Sequence, residues 1–137
     1  MASKKTPKEK LAQDKHPKKV VMNINYAGIK KGQTMFVATP MMVDAAIRAI
    51  PHGGSMTIPE LREQFAHSNK CDRTCPTSTA IFVRMVAEAA LQDLDEGAEL
   101  SSVAPFWRVL TSQDKATKKL NIDPAWVDEQ RALEASI

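Results

Sequence analysis

The amino-acid sequence predicts a mainly α, winged helix-turn-helix-like domain with a short β element, preceded by a disordered basic tail. Three observations lead to this fold class. Apolar residues recur at helical spacing in four segments, turn-forming residues separate the second of these from the third, and lysines without apolar periodicity dominate the first 19 residues. With 137 residues, 43% of them hydrophobic, the chain is long enough for one such domain.

The first 39 residues divide into a tail and a lead-in. Residues 1–19 hold seven lysines against Glu9 and Asp14, a net charge of +5, so the rest of the chain carries −2 of the total of +3. A flexible lysine-rich arm strengthens binding to any polyanion, and a solvated, disordered leader without a partner is an equally good interpretation. Residues 20–39 are expected to be irregular, with a short strand around Thr34–Ala38.

Residues 40–137 form the predicted domain, which opens with two short helices. Thr39 is a suitable N-cap for the first helix, whose periodic apolar positions end at Pro51. The second helix has a capping-box pattern, because Glu60 stands three residues after the cap Thr57.

The remaining elements complete the predicted order. The longest helix covers residues 76–97 and ends at Gly97. A short β-like run is expected at Trp107–Thr111, followed by a polar loop with three lysines and a last helix that opens at Asp123-Pro124.

Several classes of protein are excluded by the sequence. No window approaches 18 apolar residues, and the polar N-terminus has no apolar core typical of a secretory leader. The sequence contains no glycine-rich phosphate loop, no G-x-S-x-G elbow and no H-E-x-x-H motif. We therefore expect a cytoplasmic monomer without a cofactor.

A zinc site is the one metal site that the spacing of residues permits. His67, Cys71 and Cys75 could supply three ligands, with His52 as a fourth. Two unpaired thiols in a turn beside a helix cap are the better interpretation, because the usual paired cysteine spacing is missing. We predict no metal site and no nucleophilic role for Cys75, which has no candidate base nearby in the sequence.

Four segments together carry a family pattern. They are AIRAIPHGGSMTIPELREQFA, RMVAEAA (84–90), APFWRVL (104–110) and EQRALEAS (129–136). These segments resemble motifs of the alkylguanine-DNA alkyltransferases, the methylated-DNA-cysteine methyltransferase family. The first is similar to that family's helix and "iPyGkvtTYgelA" turn, and the second to its "RAVGxAM" recognition helix. The third is similar to its "iPCHRVv" acceptor motif, and the fourth to its closing "xQrxLLexEG". The resemblance covers the C-terminal domain of that family, and it is nearest to the non-enzymatic alkyltransferase-like proteins.

The resemblance implies a DNA-repair function with duplex DNA as partner. It implies that Arg84 is the finger that enters the base stack from the recognition helix, with Thr77, Ser78 and Ile81 on the same DNA-binding helix. It also implies a pocket for an extruded base, formed by Pro105, Phe106, Trp107, Arg108 and Glu134.

The departures from the family pattern decide the chemistry. Phe106 stands where the family has the acceptor Cys, and Trp107 stands where it has the activating His. Neither side chain can act as a thiolate or a general base, so we predict that the chain is not an enzyme. Ile58 replaces the family's turn Tyr, whereas Arg84, Arg108 and Glu134 are retained.

Two of the implied roles have simpler alternatives. Arg84 could be a surface residue paired with Glu88 at i+4. Phe106 and Trp107 could stack on a flipped base or could fill the pocket as core, and core is the better interpretation for at least one of them. The closing Glu134 could pair with Arg131 or with Arg108.

Three functions therefore compete. The first is a non-catalytic, alkyltransferase-like DNA-binding protein that recognises damaged, alkylated DNA by nucleotide flipping with Arg84. The second is a domain that kept the fold, lost DNA binding and serves as a protein-interaction or structural module. The third and weakest is an enzyme that uses Cys75 or a small zinc site.

Overall fold

A computed structural model of the chain describes residues 6–13 and 15–135. These residues form a mainly helical structure with one three-stranded sheet. The elements in chain order are α1 (Pro7–Leu11), β1 (Lys18–Val21), β2 (Thr34–Val37), α2 (Pro40–Arg48), α3 (Ile58–Ser68), β3 (Arg73–Thr74), α4 (Pro76–Asp95), two 3-10 turns (Leu100–Ser102 and Phe106–Arg108), α5 (Lys115–Lys118) and α6 (Pro124–Ala135).

The small sheet joins the N-terminal segment to the start of α4. Its strand order is β1-β2-β3, with β1 antiparallel and β3 parallel to β2. Phe36 in the central strand is buried and pairs with both Lys19 and Thr74. Because β3 leads directly into α4, the sheet fixes where the longest helix begins.

The two capped helices begin as the sequence predicts. The Thr39 hydroxyl accepts a hydrogen bond from the Met42 amide at 3.2 Å. At the start of α3, Thr57 and Glu60 cap each other's amides at 3.2 and 3.1 Å. Each cap satisfies helix N–H groups that have no partner within the helix, a contribution of about 1 kcal/mol.

The core lies between α4 and the elements packed around it. Helix α4 contacts α1, α2, α3, α5 and the Phe106–Arg108 turn. Its inner face presents small and β-branched residues, which lets these neighbours approach closely; the fully buried members are Val83, Val86 and Ala87. Burying each such side chain contributes up to roughly 2 kcal/mol, so α4 is the element on which the fold depends most.

The N-terminal segment differs from the predicted disordered tail. Residues 1–5 and 14 lie outside the described residues, but α1 forms within this segment and β1 begins in it. Thr6 and Glu9 make a capping box for α1, and Lys8 pairs with Asp93 and Glu96 at 2.9 and 2.8 Å. Nothing in the sequence indicated these ion pairs, because the partners of Lys8, acidic residues at the end of α4, are distant from it in the chain.

The lead-in and the segment after α4 also differ from the prediction. The strand predicted around Thr34–Ala38 is present as β2, but its partner β1 was not predicted. The β-like run expected at Trp107–Thr111 is wrong: Phe106–Arg108 is a 3-10 turn, with the Arg108 amide bonded to the Pro105 carbonyl at 2.9 Å. A single helical turn, α5, lies within the predicted polar loop.

None of the helices formed by residues 6–13 and 15–135 has the length and apolar character needed to cross a bilayer.

Candidate functional site

Helices α3 and α4 are joined by a short connection that is held by backbone contacts. The Cys71 amide bonds to the Ala66 carbonyl at 2.9 Å, and the Cys75 amide bonds to the Phe36 carbonyl in β2 at 2.8 Å. The Thr74 hydroxyl donates to the Arg62 carbonyl at 2.8 Å. The second helix of the pair is therefore fixed relative to both the first helix and the sheet.

The first turns of α4 present part of the predicted DNA-binding set to solvent. Thr77 and Ile81 are exposed, Ile81 by 47%. The Ser78 hydroxyl is buried and has no hydrogen-bond partner among the described residues, so it does not share this surface. The phenol of Tyr26 lies 2.8 Å from the Thr77 hydroxyl, which places the loop between β1 and β2 beside this end of α4.

Arg84 lies two turns further along α4 and has a partner. Its Nε donates to Glu88 at 3.0 Å, and both side chains are partly exposed. The pairing matches the i+4 alternative drawn from the sequence. A cavity of about 460 Å³ separates this part of α4 from α1, with Pro7 and Lys10 on the opposite side. A role as a finger would require Arg84 to leave Glu88.

Phe106 and Trp107 fill the position of the implied base pocket. Phe106 is fully buried and Trp107 is 3% exposed, and the neighbouring Pro105 is buried as well. The Phe106 ring stacks on Trp126 with centroids 5.8 Å apart and meets Trp107 edge-on at 5.4 Å. Such ring pairs add about 0.5–1.5 kcal/mol beyond the burial of their area, so both side chains belong to the core.

Glu134 holds the turn that carries the two aromatic residues. One carboxylate oxygen accepts from Arg108 Nε at 2.9 Å, and the other accepts from Trp107 Nε1 at 2.8 Å. The Gly53 amide adds a third donor at 3.3 Å. Arg108 also donates to the Ile50 carbonyl at 2.6 Å. This arrangement connects α6, the 3-10 turn and the loop before α3.

The network controls the ionisation of Glu134. Burial alone would raise the pKa of this carboxyl, but hydrogen bonds from Arg108, Trp107 and Gly53 lower it to about 2. The side chains of Arg108 and Glu134 are only 14% and 11% exposed. The pair is therefore a permanently charged structural contact at neutral pH rather than a group poised for proton transfer.

A shallow cleft of about 320 Å³ lies outside this network. It is lined by the Gly53–Ser55 loop and by Arg108, Arg131 and Glu134. Since Phe106 and Trp107 do not line it, the cleft does not provide the aromatic surface that the implied base pocket requires.

The residues of the alternative zinc site are not gathered into a cluster. Cys75 is buried at the start of α4, whereas His67 and Cys71 line a separate cleft with Arg62 and Arg73. Across residues 6–13 and 15–135, no group of three or more His, Cys, Asp or Glu side chains is placed to hold a metal ion.

One lysine of the predicted polar loop lies near the C-terminal half of α4. Lys119 lines a cleft there with Leu91 and Asp95. Lysines of β1 and of the following loop, together with Tyr26, are instead placed toward its N-terminal end by the sheet. Reasoning from the sequence missed them, although one signal was present: residues 15–43 contain no acidic residue.

Comparison with known proteins identifies no relative. No protein-family model, no curated protein and no solved structure matches this chain significantly. The geometry of α4 and of the Glu134 network therefore has to be interpreted from the chain itself.

Proposed function

We propose that this chain is a non-catalytic protein that binds duplex DNA through a winged helix-turn-helix-like unit, with the first turns of α4 facing the DNA. The observation that carries the proposal is the fixed α3–α4 pair, in which the second helix presents Thr77 and Ile81 to solvent. A helix so presented can enter the major groove or contact the backbone at its edge. The resemblance of residues 84–90 to the alkyltransferase recognition helix supports the same face.

The absence of an alkyl-transfer reaction follows from the chemistry of residues 106 and 107. A phenyl ring and an indole occupy the positions that match the acceptor Cys and its activating His. Neither can form a thiolate or accept a proton at neutral pH. The same two side chains are packed in the core, which argues for recognition of DNA without insertion of an extruded base between them.

A second candidate is favoured by one observation. Because Phe106 and Trp107 close the pocket, the domain could have kept its fold after losing DNA binding and could serve as a protein-interaction or structural module. This candidate predicts no affinity for duplex DNA at all, so a single binding experiment separates the two.

The experiment is fluorescence anisotropy with the full chain. Labelled duplexes with and without one alkylated guanine are titrated at low and moderate salt with wild type, Arg84→Ala and Ile81→Glu. Arg48→Ala is the matched control, since Arg48 also forms an i,i+4 ion pair, with Asp44 on α2. Each substitution removes one positive charge and one i,i+4 ion pair; the Asp44 carboxylate is more buried than that of Glu88, and Arg48 also donates to the Ser102 carbonyl.

The proposal expects duplex binding that weakens about tenfold or more in Ile81→Glu, because a carboxylate would face the phosphates. Weakening in Arg84→Ala but not in Arg48→Ala would support the finger role, and preference for the alkylated duplex would support damage recognition. Wild type that fails to bind any duplex at low salt would refute the proposal in favour of the second candidate.

A further inference from the structure

Positive charge is concentrated in one segment of the chain. Residues 15–43 contain five lysines and no Asp or Glu, whereas residues 44–137 contain ten Lys and Arg against fourteen Asp and Glu, a net charge of −4. The five lysines are Lys15, Lys18, Lys19, Lys30 and Lys31. Charge is therefore segregated along the sequence, with a net positive charge in residues 15–43 and a net negative charge after them.

Four of these lysines belong to a hairpin with a defined backbone, and Lys15 lies just before it. Strands β1 and β2 pair in register from Lys18–Val37 to Val21–Thr34. Beyond the strands, Tyr26 and Ile29 exchange backbone hydrogen bonds of 2.8 and 2.7 Å across a two-residue turn. Both turn residues have positive φ, +50° at Ala27 and +85° at Gly28, as the tight turns of β-hairpins require.

Two side chains of the hairpin loop are buried. Ile29 is 2% exposed and Met22 is 9% exposed, while their neighbours in the loop face solvent. All five lysines are exposed. Phe36 of β2 belongs to the hydrophobic core, so the paired strands hold the charged residues beside the rest of the fold.

The ammonium groups of the hairpin have no carboxylate partner within the described part of the chain. The ion pairs there involve Lys8, Arg48, Arg84 and Arg108, none of which belongs to the hairpin. Asp72 lies just before β3, and its Oδ2 accepts hydrogen bonds from the Thr34 amide and hydroxyl at 2.9 and 3.0 Å. The charge of the lysines is free to act on an external anion.

The hairpin and α4 form one continuous surface. Tyr26 in the hairpin loop contacts Thr77 in the first turn of α4. Val21 and Ile24 are also exposed there, by 69% and 61%, so apolar atoms lie among the lysines. Cationic and apolar groups next to a presented helix fit the phosphates and sugars at the edge of a groove.

We propose that the β1–β2 hairpin is a second DNA-contacting element, which binds the phosphate backbone flanking the groove that α4 faces. The inference rests on the proposed DNA-binding function and names the part of the surface that supplies most of its electrostatic affinity. Lysine is suited to this role because a flexible point charge can meet a phosphate without demanding one geometry. Contacts of this kind position the protein without reading sequence.

The experiment measures the salt dependence of duplex binding with the full chain. Wild type is compared with Lys18→Gln/Lys19→Gln/Lys30→Gln and with the matched control Lys115→Gln/Lys118→Gln/Lys119→Gln, which removes three exposed lysines around α5. Each phosphate contact contributes about 0.9 to the slope of log K against log salt. We expect the slope to fall by about 2–3 in the hairpin variant, with little change in the control.

A second measurement does not depend on the variants. Amine-reactive footprinting of wild type with and without duplex should show protection of Lys18, Lys19, Lys30 and Lys31, with continued labelling of Lys115 and Lys118. An unchanged salt slope together with unprotected hairpin lysines would overturn the inference, and the proposed function would stand if Ile81→Glu still weakened binding. Wild type that binds anionic lipid vesicles but no duplex would overturn both.

Discussion

Trp107 Nε1 donates a hydrogen bond of 2.8 Å to Glu134 Oε2, across the contact between the 3-10 turn and α6. The donor is the residue that replaces a catalytic His in the resemblance described above. The indole thus takes part in a carboxylate network as a donor only and cannot act as a general acid or base at neutral pH. The contact is a structural one, which ties the 3-10 turn to α6.

Removal of the charge on Glu134 should destabilise the fold. Glu134→Gln leaves Arg108 in a largely buried position without a counter-charge, and we expect a loss of roughly 3 kcal/mol in the free energy of unfolding. Urea denaturation monitored by tryptophan fluorescence measures it. Glu129→Gln is the control, because Glu129 lies on the exposed side of the same helix; equal stability of the two variants would contradict the structural role.

Lowering the pH should remove the stabilisation that ionised Glu134 gives to the wild-type protein. The pKa of Glu134 falls from 4.5 to about 2 on folding, so its stabilisation is complete above pH 4.5 and is lost as the pH falls toward 2. The resulting loss in the free energy of unfolding has an upper bound of about 3 kcal/mol.

The acid effect is isolated by comparing two proteins across the same pH range. Glu60, Asp72 and Asp128 also have lowered pKa values, from hydrogen bonds with Thr57, Thr34 and Ser112, and they contribute equally to wild type and Glu134→Gln. Unfolding curves of the two proteins should therefore converge as the pH approaches 2. A constant difference between them at every pH would show that Glu134 does not titrate as described.

The indole N–H can be tested separately from the ring. Trp107→Phe keeps an aromatic side chain but removes one donor from a buried carboxylate, and we expect a loss of about 1–3 kcal/mol in unfolding free energy. Trp126→Phe is the matched control, because the structure gives the Trp126 indole no hydrogen bond within the described residues. If the control lost as much, packing rather than the hydrogen bond would explain the cost.

Replacing one residue in the turn of the hairpin by glycine should stabilise the protein. Ala27 has φ of +50°, a left-handed conformation that costs an L-residue about 1 kcal/mol. We expect Ala27→Gly to raise the free energy of unfolding by up to about 0.5–1 kcal/mol, less the entropy gained by the unfolded chain. Gly28→Ala, at φ of +85°, should lower it. The opposite order of stabilities would contradict the turn geometry.

Local signals in the sequence were sufficient for α2, α3, α4 and α6, but not for the short helices α1 and α5. The threonines at positions 39 and 57, each close to a proline, mark the starts of α2 and α3 because capping involves only neighbouring residues. The pairing of β1 with β2 was missed because strand partners are separated by a loop of twelve residues, 22–33, and no local pattern identifies the partner. The same limit hid the ion pairs between Lys8 and the end of α4.

The candidate site was predictable only in part. The sequence placed Arg108 beside Glu134 as one of the pairs considered, and the structure confirms this pair. It did not reveal that Trp107 would join them, because a hydrogen bond between residues 27 positions apart depends on how α6 docks. The sequence also did not locate the hairpin lysines. Lys18 and Lys19 were predicted to belong to a flexible tail, because they follow five other lysines in residues 1–19.

The parallel pairing of β2 with β3 has a consequence for any ligand that touches both the hairpin and α4. Phe36 in β2 accepts the hydrogen bond of the Cys75 amide, one residue before α4 begins, and Tyr26 closes the same junction from the loop. The two elements are thus locked together before a ligand arrives. The entropic cost of orienting one relative to the other is met during folding, so association does not have to include it.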